Sequence, residues 1–273
     1  MGNKSRNYKL VFATNFKAEN PYLQEWIEYH LLVGVDHFYL YDQDGGEEAR
    51  QILAPYEHAG LVTRHPWTHY DGTRYDGPTR FYQINKNHLG FAHCARHYRH
   101  AAEWIMKIDV DEFLYPPADD DNLLQWLNSI CGKGIKGVSI PRFNFGYNFH
   151  ETRPPGLVIE SYTRREADAS DHKDLANCTC LGNNRFCHSA HSWHYRWFKG
   201  GTFLRENAPD GIRINHYYTK SYEEYTQRQN VSRGRGLTRT TFDSRNLGCD
   251  AVEDTGMLRF AGTIKNNISK RCG

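Results

Sequence analysis

Through its N-terminal half the chain alternates short runs of β-favouring apolar residues with stretches whose apolar positions follow a helical period. That alternation leaves an α/β sheet with helices packed on its faces as the architecture open to it. Residues 8–14 read as the first strand. Pro21 opens a helix at a position where its missing amide hydrogen costs nothing, with Leu23, Trp26, Ile27 and Leu31 on one face and Gly34 as the stop. Residues 37–41 form a second strand with a turn over 42–46, residues 47–58 a second helix closed by Gly60, and residues 61–64 a short third strand. A helical stretch over 81–103, broken or bent near Gly90, leads to the apolar strand 104–108, which runs directly into Asp109. Open α/β sheets bind ligands beyond the carboxyl ends of their strands, so chemistry is expected at this junction.

The second half is less regular. Residues 122–131 read as a helix, 138–141, 157–162 and 212–217 as strands, and 222–229 as a helix. Residues 168–197 show no period and are expected to be an ordered loop region around a site. With 39% apolar and 14% aromatic residues, the 273-residue chain is expected to form a single domain, a core over about 8–235 with a C-terminal extension over about 236–273.

A formal charge of +2, from 34 basic and 32 acidic side chains, excludes the strong overall field that a nucleic-acid partner would call for. No run approaches the roughly 18 to 20 apolar residues of a membrane helix, so no transmembrane anchor is expected and the chain reads as soluble. Seven cysteines, an odd number, give no whole-chain disulfide framework, and the compartment stays open between cytoplasm and a secretory lumen such as the Golgi.

The segment Ile108-Asp109-Val110-Asp111-Glu112-Phe113 ends an apolar strand in three carboxylates. Residues two apart in an extended chain project to the same side, so Asp109 and Asp111 are expected to converge. Carboxylates that close repel each other unless a cation neutralises them, and oxygen donors suit magnesium or manganese bridging to a diphosphate. An Asp-x-Asp pair alone is common in solvated turns; its place after an apolar strand is what singles it out.

The stretch Phe16-Lys17-Ala18-Glu19-Asn20-Pro21-Tyr22-Leu23-Gln24-Glu25-Trp26-Ile27-Glu28-Tyr29-His30, continuing through Gly34-Val35-Asp36-His37-Phe38-Tyr39-Leu40-Tyr41-Asp42, resembles the opening of glycosyltransferase family 92. The resemblance continues through Gln83, Cys94, Trp104, the Asp109 to Phe113 segment, Phe145-Gly146 with His150, Gly156 to Glu160, and Asn215-His216-Tyr217-Tyr218-Thr219-Lys220-Ser221. It implies an α/β glycosyltransferase A fold, Rossmann-like and three-layered (α/β/α) with a mostly parallel central sheet. It also implies a divalent metal, usually manganese (or magnesium), a UDP-sugar donor such as UDP-galactose, a glycan acceptor and inversion at the anomeric carbon.

Carried over by position, Asp109 would lie by the donor ribose and the metal, Asp111 would ligate the metal, and His216 would be a later ligand. Lys220 and Ser221 would hold the diphosphate, and Lys17, Glu19 and Asp42 would meet the nucleotide. The family's usual Lys-Asn-Glu appears here as Lys17-Ala18-Glu19, a departure at the nucleotide end.

Inversion also needs a base for the acceptor hydroxyl. Glu166, Asp168, Asp171 and Asp174 are available, with Asp171 and Asp174 ranked first because they flank Lys173, which looks like a lysine of the family pattern. Cys178 and Cys180, with Cys187, His188 and His191 behind them, have zinc-ligand types but match no standard finger spacing, so loop cysteines are the plainer reading, and the resemblance offers His191 instead as the counterpart of a family histidine facing the active site. Aromatic residues crowd the second half, and residues 145–150 are the piece expected to touch a glycan acceptor. Two other classes fit the same residues: a non-catalytic carbohydrate-binding protein on a decayed transferase fold, and a nucleotide-sugar hydrolase.

Overall fold

The computed structural model describes residues 7–68, 86–117, 121–130, 134–182, 189–196, 202–206, 211–232 and 238–272. In chain order its elements are β1 (Tyr8–Phe16), α1 (Leu23–Leu32), β2 (His37–Asp42), α2 (Glu47–His58), β3 (Val62–Pro66), α3 (Lys86–Tyr98), β4 (Ala102–Lys107), β5 (Glu112–Tyr115) and α4 (Leu123–Ile130). There follow β6 (Ile135–Asn144), α5 (Val158–Ser161), β7 (Arg164–Arg165), β8 (Asp171–Asn177), β9 (Thr202–Arg205), β10 (Arg213–His216), α6 (Tyr222–Ser232), α7 (Arg239–Asn246), β11 (Val252–Glu253) and α8 (Leu258–Cys272).

The main sheet has the order β3-β2-β1-β4-β8-β6-β10-β5, with β9 beside β6. The β3-β2-β1-β4 half is all parallel, as alternating strands and helices require. The other half is mixed: β8 runs antiparallel to both β4 and β6, and β5 antiparallel to β10. Along β1 the residues alternate between two apolar layers. Leu10 and Phe12 join Trp26, Leu53, Leu127 and Ile264 on one face, while Val11 and Ala13 join Phe91, Ala95 and Trp193 on the other. These layers make the chain an α/β fold with helices on both sides of its sheet.

Several expectations change. The helix before β4 ends at Tyr98, and Ala102 and Glu103 already belong to the strand; the part of the expected helix before Lys86 lies outside the described residues. Gly90 does not break that helix. A Cβ there would stand 2.3 Å from Asn15 Oδ1 and 3.0 Å from the Tyr41 ring, so glycine is what lets α3 lie close on β1 and β2.

Residues 157–162 form a helical turn instead of a strand, because the buried Glu25 carboxylate accepts the backbone N–H groups of Val158 (2.8 Å) and Ile159 (3.0 Å). The aperiodic stretch 168–197 contains β8, which sits mid-sheet. Residues after 236 are built into the same core: Phe260 and Ile264 of α8 pack in the apolar layer of α1, and Arg271 pairs with Glu28. Among the described residues no helix is long and apolar enough to cross a membrane.

Candidate active site

The strand leading to the acidic segment stops at Lys107, and Asp109 to Asp111 form a turn in which the Glu112 N–H donates to the Asp109 carbonyl (3.0 Å). The extended-chain argument for a shared side therefore does not hold, and the two aspartates go to different partners. Asp111 turns toward the end of β10, where the N–H of Tyr217, the residue after the strand, donates to its carbonyl (2.8 Å). His216 pairs with Glu112 on one side and Asn144 on the other, which brings its Nε2 to 3.5 Å from Asp111 Oδ2.

Asn144 decides what that imidazole presents. Its amide nitrogen donates to Glu166 (3.3 Å) and Ser170 (2.9 Å), leaving its oxygen to accept from His216 Nδ1 at 2.7 Å. The proton of a neutral His216 is thereby placed on Nδ1, and the Nε2 lone pair faces the Asp111 carboxylate. Two acceptors facing each other at a distance too long for a good hydrogen bond suit a small cation between them. The donor set, one carboxylate oxygen and one imidazole nitrogen, fits manganese, and fits magnesium with diphosphate oxygens and water completing the shell. Among the described residues no set of three or more His, Cys, Asp and Glu side chains is gathered as a metal cage.

Asp109 instead meets Lys173 of β8, whose ammonium donates to Asp109 Oδ2 (2.8 Å) and to the fully buried Glu112. Burial works against the Lys173 charge, yet the two carboxylates outweigh it and raise its pKa. Glu112 also accepts the Asp109 N–H (2.9 Å), so the turn is fastened at both ends. Arg142 of β6 extends the network, lying 3.4 Å from both Glu112 and Asp171.

The two base candidates separate. Asp171 lies on the Lys173 side of β8, its side chain 41% exposed, accepting from its neighbour's His172 N–H (2.7 Å) and from His191 Nδ1 (2.8 Å). Asp174 projects to the opposite face, is buried, and accepts from the Trp193 N–H and the Tyr195 hydroxyl, both at 3.3 Å. Burial is the main reason its pKa is raised.

The nucleotide candidates lie at strand ends but are differently occupied. Lys17 and Glu19 follow β1, around Ala18 at φ 56°, and Glu19 is buried. Asp42 ends β2 fully buried: one oxygen accepts the N–H groups of Asp44 and Gly45, the other the Arg64 guanidinium (2.7 Å), so it shapes the 42–46 turn. Lys220, at φ 50°, holds its ammonium 4.3 Å over the Tyr22 ring. Ser221 caps α6. Its hydroxyl donates to Glu224 (2.6 Å) and accepts the Glu224 N–H (3.2 Å), a capping box written in the sequence as Ser221-Tyr222-Glu223-Glu224.

In the 145–150 loop Phe145 is buried, whereas Phe149 is 70% exposed and Asn148 and Phe149 both have left-handed φ, 49° and 63°. Cys178 and Cys180 are buried, while Cys187 and His188 lie outside the described residues, as does Gln83. Arg142 and Asn144 were missed by sequence reasoning. They lie in β6 just ahead of the Phe145-Gly146 motif, and the β6–β8 and β6–β10 registers bring them to the site.

Comparison with known proteins bears on this arrangement. The model of glycosyltransferase family 92 matches residues 11–199. A family 92 protein of Ricinus communis is 26% identical over 226 residues, covering 81% of this chain and 37% of its own length. A galactan beta-1,4-galactosyltransferase of Arabidopsis thaliana is 36% identical over 101 residues, 35% of this chain and 18% of that protein. The chain thus spans about a third of the length of the family 92 relatives it matches along most of its own length. Among solved structures, glucosyl-3-phosphoglycerate synthase from Mycobacterium tuberculosis, in complex with Mn2+, UDP and glucosyl-3-phosphoglycerate, aligns at 16% identity and a TM-score of 0.31. That alignment covers 64% of this chain and 58% of that one.

Proposed function

The chain belongs to glycosyltransferase family 92, and on that premise we propose that it transfers a hexose, galactose from UDP-galactose, to a glycan with inversion, holding the donor diphosphate at Asp111 and His216. The observation that carries this reading is the His216 ring, fixed by Asn144 so that its Nε2 faces a buried carboxylate. The matched galactan galactosyltransferases support galactose and a galactan-type acceptor.

A bound manganese or magnesium ion would supply Lewis-acid neutralisation of charge on the departing diphosphate. Asp111 and His216 would hold it, and Asn144 keeps the imidazole in the tautomer that can. Lys173 bridges Asp109 and Glu112, so the turn carrying Asp111 is fastened before donor arrives, the preorganisation on which electrostatic catalysis depends. Asp109, with its side chain 34% exposed, is the carboxylate left open toward the donor ribose. Lys17 and Glu19 flank the nucleotide end, Asp42 shapes the neighbouring turn, and Lys220 offers its ammonium to the diphosphate. Ser221 acts there by fixing the start of α6, and the exposed Phe149 offers a face on which a sugar ring can stack.

The test is a panel of UDP, GDP and CMP sugars with manganese, read first by thermal shift and then by transfer to β-1,4-galacto-oligosaccharides and a set of other glycans. Transfer from UDP-galactose is expected; release of free sugar with no acceptor would mark a hydrolase, and binding without turnover a decayed transferase. His216→Ala is expected to weaken manganese-dependent UDP binding by about tenfold to a hundredfold, the usual effect of disturbing a metal's ligand surroundings. A manganese titration read by UDP binding checks it, and unchanged metal dependence would reduce His216 to a strand-end histidine.

A further inference from the structure

The proton of the acceptor hydroxyl needs a destination, and the two aspartates expected to take it are already engaged. Both oxygens of Asp171 accept, one from the His172 N–H and the other from His191 Nδ1 with Arg142 at 3.4 Å. Asp174 lies on the far face of β8, under Trp193 and Tyr195. His191 is differently placed. Its Nδ1 is held at 2.8 Å by Asp171, so a neutral ring carries its proton there and keeps the Nε2 lone pair, on a side chain that is 36% exposed.

The segment bearing His191 is pinned from three sides. Lys107, just before the acidic turn, donates from its buried ammonium to the carbonyls of Ser189 (2.8 Å) and Ser192 (2.6 Å). The Asp174 N–H donates to the His191 carbonyl (2.8 Å) and its carboxylate takes the Trp193 N–H. The Ser189 hydroxyl accepts the His191 N–H at 2.9 Å. The charged groups facing the ring are Asp171 and Lys173 from β8, Arg142 from β6 and Glu112 from β5, the groups that also fasten the acidic turn.

We propose that His191 is the base of the transfer, taking the acceptor proton on Nε2 while Asp171 orients the ring and balances the imidazolium. The acceptor O–H bond breaks with its proton passing to Nε2 and its electron pair forming the new bond to the anomeric carbon. The bond from that carbon to the diphosphate oxygen breaks, and its electron pair leaves with the nucleoside diphosphate. Burial first, then the Lys173 ammonium, hold the His191 pKa below its ordinary value, with Asp171 opposing, so the ring is neutral and ready to accept at neutral pH. Asp174 and Lys107 are then positioning residues. This inference rests on the transferase reading and adds its base.

The test uses the donor and acceptor pair that the panel selects, beginning with UDP-galactose and a β-1,4-galacto-oligosaccharide. His191→Ala and His191→Gln are expected to lower kcat by about a hundredfold or more, the range of a lost general base, with UDP affinity in manganese and the melting temperature unchanged. The acid limb of the wild-type kcat profile, where the ring becomes protonated, disappears in both variants, and added imidazole restores turnover to His191→Ala. Nitrogen NMR of the wild type shows the Nδ1–H tautomer at His191, and Asp171→Asn moves the acid limb to lower pH. If both variants keep kcat within a few-fold and retain the acid limb while the wild type transfers sugar, His191 is not the base and the transferase reading stands. If the wild type binds UDP and transfers nothing from the whole panel, that reading falls and the inference with it.

Discussion

Replacing Asp111 with Ala is expected to cut transfer by about a thousandfold or more while leaving the fold standing. The Asp111 carboxylate is buried and faces the lone pair of His216, and its loss removes half of the protein's hold on the cation. Charge stabilisation of a departing diphosphate is worth several kcal/mol, at about 1.4 kcal/mol per factor of ten. Stability should change little, because the turn is fastened by Glu112, Lys173 and the Asp111 carbonyl, all of which the substitution keeps. Transfer assays with manganese, beside circular dichroism and a thermal melt, check both halves. Near-normal activity in Asp111→Ala, or in the closer mimic Asp111→Asn, would remove Asp111 from the metal site.

The largest loss of stability is expected at Lys173→Met. Lys173 and Glu112 are both buried, and the ammonium stands between Glu112 and Asp109. A buried ion pair is of uncertain net value, but deleting one partner strands the other, at a cost of about 3–5 kcal/mol. Arg142, 3.4 Å from Glu112 and shared with Asp171, offsets only part of that loss. Urea unfolding of Lys173→Met should show that loss, and the double variant Lys173→Met/Glu112→Gln should regain part of it, since the stranded charge goes with it. A double variant no more stable than Lys173→Met would place the cost in packing.

The parallel half of the sheet was legible because its signals are local. Strand and helix periods follow one another there, β1, β2 and β3 pair in chain order, and β4 returns to the free side of β1. β8 was hidden because Lys173 and Asp174 interrupt its hydropathy, and what makes them tolerable inside a sheet, the carboxylates of the acidic turn for one and the N–H of Trp193 for the other, lies far off in sequence. Residues 157–162 had strand composition but were captured as a helical turn by Glu25, more than a hundred positions earlier.

The site followed the same division. Asp109, Asp111 and His216 were visible as residue types in a matched order, whereas Arg142 and Asn144 acquire meaning only through strand register. The turn after Lys107 is the difference with the largest consequence. Two aspartates taken to share a side part company, one to Lys173 and one to His216. Ser221 could have been read better, for the Ser-x-x-Glu spacing is a helix start in its own right.

The most direct measurement is a calorimetric titration of UDP into the wild-type chain, once with manganese and once with the metal removed by EDTA. If Asp111 and His216 hold a cation for the donor diphosphate, UDP binds in manganese and its affinity falls at least about tenfold in EDTA, the scale of a disturbed metal environment. Equal affinity under the two conditions would contradict the account, because the nucleotide would then be held without the ion that the Asp111 and His216 pair is proposed to carry.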